Sequence, residues 1–140
     1  METLKLRIET TKKALKTLKA ITEEPYSEIV RDAAIQRFEY TSESFWKVVK
    51  GYLDVQEGII CNSPKSCFKE AFKVSLLSEE ETVKILEMVD DRNITSHTYH
   101  EEVAEEIYRR IRGYWDLMDR VCRRVAEKLE LDFSSRPAEK

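Results

Sequence analysis

Glycine and proline are scarce in this chain, three of each among 140 residues. That excludes a sheet protein built on many tight turns and favours long helices with short connections. No apolar run approaches the roughly 20 residues that span a bilayer, and METLKLRIETTKKALK lacks the continuous apolar stretch of a signal peptide. Three cysteines, Cys61, Cys67 and Cys122, make an odd number without C-x-x-C spacing. Neither a disulfide framework nor a zinc knuckle is indicated, and reduced thiols in a soluble, cytoplasmic protein are expected. Net charge is only −3, so bulk electrostatics do not make the chain a general nucleic-acid binder.

What is present is helical periodicity. Leu4, Ile8, Thr11, Leu15 and Leu18 form one apolar stripe, predicting a helix over about 3–22. Pro25 interrupts it and Ser27 caps a second helix, whose stripe runs Val30, Ala34, Phe38, Thr41, Phe45, Val48 and Tyr52 to about residue 55. After Gly58, Ser63-Pro64 restarts the chain in a short helix through Cys67, Phe68, Ala71, Phe72 and Leu76. Ser78-Glu79-Glu80-Glu81 is a capping box opening a fourth helix with Val83, Leu86 and Val89 inward. The last helix carries Val103, Ile107, Ile111, Tyr114, Met118, Val121, Val125 and Leu129. No strand signal, repeat or low-complexity segment competes. The expected fold is all-α, an up-down bundle of four to five helices in one domain over 1–130, with a frayed tail at 131–140. Phe38, Phe45, Trp46, Tyr52, Tyr114 and Trp115 read as core or dimer interface rather than a cofactor box.

Charge is unevenly distributed. Residues 78–106 hold ten acids against two bases, whereas residues 107–128 hold seven bases against three acids. The first helix is also basic, with Lys5, Arg7, Lys12, Lys13, Lys16 and Lys19. These are solvated faces or, alternatively, docking surfaces for a partner of opposite charge.

The chain's two histidines, His97 and His100, both lie in DRNITSHTYH, residues 91–100, between the fourth and last helices. The fourth helix is expected to end near Asp91 or Arg92, with Asn93 in the left-handed position. Thr98-Tyr99-His100-Glu101 reads as a second capping box, so capping accounts for Asn93, Thr98 and Glu101. Arg92 and His97 then flank a helix N-terminus, an arrangement suited to phosphate. The plainer alternative pairs Arg92 with Asp90 or Glu87 and leaves the histidines exposed. No metal site is indicated: Glu-x-x-His spacing is absent and no third ligand is placed. No cofactor motif is present.

The string Arg92-x4-His97-x-Tyr99 resembles the signature of the HEPN superfamily. Three ordered blocks, 31–53, 63–72 and 92–111, make the chain similar to its nucleotidyltransferase substrate-binding proteins, the HepT-like partners of minimal nucleotidyltransferases. The resemblance covers about residues 3–130. It implies a two-fold dimer whose Arg92 and His97 motifs face a shared cleft, and a nucleotidyltransferase partner encoded nearby. It further implies metal-independent RNA cleavage in active members, with histidine moving protons and arginine stabilising the charged transition state. The resemblance also implies that, as in some toxin–antitoxin pairs of this type, the partner adenylylates the motif tyrosine, which here would be Tyr99.

The expected function is therefore a nucleotidyltransferase partner in a toxin–antitoxin-type module. The alternatives are an RNase using Arg92 and His97, supported by Asn93 and Thr98, and a non-catalytic helical adaptor. Local acidity weighs against RNA unless the dimer adds basic surface, from Lys12, Lys13 and Lys16 or from Arg109, Arg110 and Arg112. The same acidity favours protonated His97, a general acid rather than a base. His100 is a bystander in this reading.

Overall fold

The computed structural model describes residues 1–96 and 100–133. Five α-helices appear in it: α1 (Glu2–Thr22), α2 (Glu28–Tyr52), α3 (Pro64–Lys73), α4 (Glu79–Thr95) and α5 (Glu101–Lys128), and no strand occurs among the described residues. The caps read from the sequence form. The Ser27 hydroxyl accepts from Val30 N–H, and that of Ser63 from Ser66 N–H with Pro64 at the first helical position. Ser78 and Glu81 close a reciprocal capping box.

α2 is the central element, in contact with α1, α3, α4 and α5. Its buried face of Ala34, Phe38, Phe45, Val48 and Val49 meets Leu15 and Leu18 of α1 and Ile111, Tyr114 and Met118 of α5 in one core. Phe38 stacks on Tyr114 with ring centroids 5.5 Å apart, and Phe45 on Phe68 at 5.6 Å. α2 passes into a π-helical turn, Leu53–Glu57, which Gly58 ends in the left-handed conformation at φ 69°. Trp46 and Trp115 are half-buried against the core, and Trp115 Nε1 donates to Leu15 O at 2.7 Å.

Three expectations are corrected. Cys61 and Cys67 form a disulfide with Cα atoms 5.3 Å apart, and only Cys122, fully buried, remains a thiol. The six-residue separation crosses from the loop after Gly58 into α3, a pairing that counting motifs does not reveal. On α4 the inward face is Thr82, Ile85, Met88, Val89 and Asp91, while Val83 is 55% exposed, because α4 packs through a polar edge as well as an apolar one. On α3, Phe72 is 44% exposed. Past α5, Phe133 is buried between Lys12 and Arg123.

Candidate functional site at the end of the fourth helix

α4 does not stop near Asp91 or Arg92. It continues through Thr95, and Asn93 is helical and exposed rather than left-handed. Side-chain hydroxyls explain the extra turn. Thr95 Oγ1 donates to Arg92 O at 2.7 Å and Ser96 Oγ donates to Asn93 O at 3.1 Å, satisfying terminal carbonyls without a left-handed residue. Arg92 therefore projects from the last full turn of α4. Its Nη1 donates to Ser96 Oγ at 3.0 Å. Its Nε is buried and has no hydrogen-bond partner among the described residues. The expected alternative partners are not used: Asp90 pairs with Lys65 of α3 at 2.7 Å, and no ion pair of Arg92 occurs among the described residues.

The neighbouring Asp91 anchors this turn. Its buried carboxylate accepts from Arg110 Nε at 2.9 Å, from Arg110 Nη2 at 3.2 Å and from the Tyr114 hydroxyl at 2.5 Å. Burial, and then the bond to Asp91, push the Tyr114 hydroxyl well above the usual phenol range. Asp91 likewise raises Arg110. Two residues of α5 thus hold the residue preceding Arg92, which fixes where the arginine leaves the helix.

α5 starts later than its capping box implied. His100 is the N-cap residue, with extended backbone and no side-chain cap bond, so Glu101 begins the helix instead of standing third within it. The first turn is held from α2 instead. Arg31, only 1% exposed, reaches Glu105 at 2.9 Å and Glu101 at 3.4 Å while its Nε bonds Asp32 at 3.0 Å. The Tyr26 hydroxyl also donates to Glu105. Asp32 and Glu105 together raise Arg31 above the usual guanidinium range, and the bonds from Tyr26 and Arg31 lower Glu105. His97, Thr98 and Tyr99 lie outside the described residues, in the connection between these two anchored ends.

A cavity of about 300 Å³ lies between α2, α4 and the start of α5. Ile35, Val103, Ala104 and Ile107 supply apolar wall, and Asp32, Gln36 and Glu39 supply polar groups from α2. Ile94, Thr95 and His100 close the end formed by α4 and the start of α5. Asp91, Arg31 and this cavity escape sequence reasoning, since each depends on contacts across the bundle. Among the described residues, no group of three His, Cys, Asp or Glu is placed to hold a metal ion. No helix among them is long and apolar enough to cross a membrane.

Residues 6–127 match the family described as "Nucleotidyltransferase substrate binding protein like". The chain belongs to that family. The resemblance to nucleotidyltransferase substrate-binding proteins read from the three ordered sequence blocks holds over nearly the whole domain. A Thermus thermophilus protein of solved structure is 48% identical, with a TM-score of 0.79 over 82% of this chain and 98% of that one. A chain from a mutant MntA–HepT toxin–antitoxin structure shares the fold at 16% identity, with a TM-score of 0.75 over 91% and 99%. So does one from the tri-AMPylated Shewanella oneidensis HEPN toxin in complex with its MNT antitoxin, at 16% identity, TM-score 0.74, and 89% and 96% coverage. No curated protein matches the chain.

Proposed function

We propose that this protein is the partner of a minimal nucleotidyltransferase in a two-component toxin–antitoxin module, and that it works through Arg92, His97 and Tyr99. The observation carrying this reading is the state of Arg92. A half-buried guanidinium stands at the end of α4 with an unpartnered Nε and no carboxylate pair among the described residues. Burying such a donor unpaired is costly unless a ligand completes it. The family match and the toxin–antitoxin relatives of the same fold support the nucleotidyltransferase partner.

Co-expression with the neighbouring nucleotidyltransferase is expected to give a complex stable through size-exclusion chromatography. Absence of such a gene, or of any co-purifying partner, would sink this reading. The protein alone is expected to run as a dimer. Intact mass after incubation with the partner and ATP should show added AMP that Tyr99→Phe abolishes.

A second reading is favoured by the same unpartnered donor. Arg92 and His97 of a dimer cleave RNA without metal, the histidine transferring the proton and the guanidinium neutralising the phosphorane, with Asn93 and Thr98 in support. Arg92→Ala and His97→Ala should each abolish cleavage and growth arrest while leaving the circular dichroism spectrum unchanged. Cleavage surviving both substitutions would remove the nuclease reading.

A further inference from the structure

We infer that a second cavity, between the start of α1 and the end of α2, binds an aliphatic carboxylate. It stands apart from the motif. Arg31 and Lys50 both belong to α2, and at about 1.5 Å of rise per residue they lie roughly 28 Å apart along its axis. Arg31 holds the start of α5, whereas Lys50 lines this cavity.

The cavity measures about 420 Å³, within the range of small-molecule sites. Leu4, Val55, Ile59 and Ile60 give it apolar walls. Among the described residues, no aromatic side chain lines it. A flat heterocycle finds no ring to stack on there, while a flexible hydrocarbon chain finds methyl groups. Val55 and Ile60 are both large, apolar and exposed, and they line one cavity, which marks an interaction surface rather than scattered residues. Arg7, Lys47 and Lys50 set three cations against the single carboxylate of Asp54. Lys47 is shared with Glu43 at 3.4 Å, but Arg7 and Lys50 make no ion pair among the described residues. Lys50 instead packs over the Trp46 ring, 5.6 Å from its centroid. The planar fork of an arginine takes a carboxylate in two parallel bonds, and a lysine adds a point charge. Asp54 among the cations favours a singly charged head over a dianionic phosphate.

The walls are formed in advance. Leu4 packs so closely on Gly51 that a Cβ there would meet Leu4 Cδ1 at 2.9 Å. Ile59 N–H donates to Leu53 O at 3.0 Å, and Cys61 is tied to Cys67 of α3. A ligand therefore orders little of the protein on binding.

An NMR titration of the ¹⁵N-labelled full chain, kept free of reductant, provides the test. The probes are octanoate, octan-1-ol, octylammonium and octyl phosphate, each below its micelle concentration. Octanoate is expected to shift the Gly51, Val55 and Ile60 amides with a dissociation constant about tenfold lower than that of octan-1-ol, and octylammonium should bind weakest. Arg7→Gln and Lys50→Gln should each weaken octanoate about fivefold and leave octan-1-ol unchanged, a split that loss of folding would not produce. Thr3→Trp, at an exposed wall position, should remove the shifts by filling the cavity while the circular dichroism spectrum stays the same. Equal affinity for octanoate, octan-1-ol and octylammonium means adventitious apolar contact only and overturns the inference. So do shifts confined to residues away from the cavity. Octyl phosphate binding more tightly than octanoate overturns the choice of a carboxylate.

Discussion

Asp91 and Arg92 are adjacent, yet their side chains have opposite environments. Asp91 is saturated by Arg110 and Tyr114, whereas Arg92 retains an unused donor among the described residues. Removing the carboxylate strands the buried Tyr114 hydroxyl and unpairs Arg110, whose side chain is 45% exposed. Asp91→Ala is therefore expected to lose about 2–3 kcal/mol in urea unfolding. Tyr114→Phe removes one bond and leaves Arg110 in place, so about 1 kcal/mol is expected. Equal losses in both variants would show that the arginine contributes nothing to the anchor. This network is not legible in the sequence, where Asp91 is one acid among ten in its stretch. Arg92, by contrast, stands out there because no capping role explains it.

At the scale of elements, the starts of α2, α3 and α4 are legible because Ser27, Ser63 and Ser78 act within three residues of themselves, whereas that of α5 is not. The end of α4 is not, because hydroxyls of Thr95 and Ser96 take over the work expected of Asn93. Nor is its inward face, which Asp91 and Thr82 share with Ile85 and Met88. The α4 start carries a pH dependence. Arg124 foremost, with the Ser78 backbone and Arg120, holds the Glu81 carboxyl down to about 2 from an ordinary 4.5. Its contribution to stability is thus complete above 4.5 and is lost as pH falls toward 2. Glu81→Gln preserves the capping geometry and should flatten this acid limb in unfolding curves taken between those pH values. An unchanged limb would assign the acid sensitivity to other carboxylates. The Cys61–Cys67 link closes a short loop onto α3, and its reduction is expected to cost about 2 kcal/mol by loop entropy. Thermal unfolding with and without reductant, compared with a Cys61→Ala/Cys67→Ala variant, measures that value.

The whole molecule separates charge by helix. The acidic stretch 78–106 surrounds the motif, while α1 and the rest of α5 carry most of the basic groups. Several of those bases are already committed. Arg110 is bound by Asp91, Arg112 donates to Thr22 O at 2.5 Å, and Arg124 grips Glu81. Glu81, Asp90, Asp91, Glu101 and Glu105 are paired as well, so a basic partner is proposed to dock on the remaining acids of that stretch. Association with the nucleotidyltransferase should accordingly slow several-fold as salt rises from about 50 to about 300 mM in stopped-flow or surface-binding kinetics. Salt-independent association would locate the interface elsewhere. The all-α architecture follows from scarce glycine and unbroken stripes, but this division of labour among arginines depends on the fold.

Arg31 gives the bundle a second consequence, one of timing. Asp91 pins the last turns of α4 to α5, and Arg31 pins Glu101 and Glu105 of α5 to α2. Opening either helix end requires breaking one of these contacts across the bundle, so both ends should open slowly. Amides near Met88 and beyond Ala104 should then exchange with solvent only as the whole protein opens. Arg31→Met should release the start of α5, so that its first amides exchange faster than those of the remaining core.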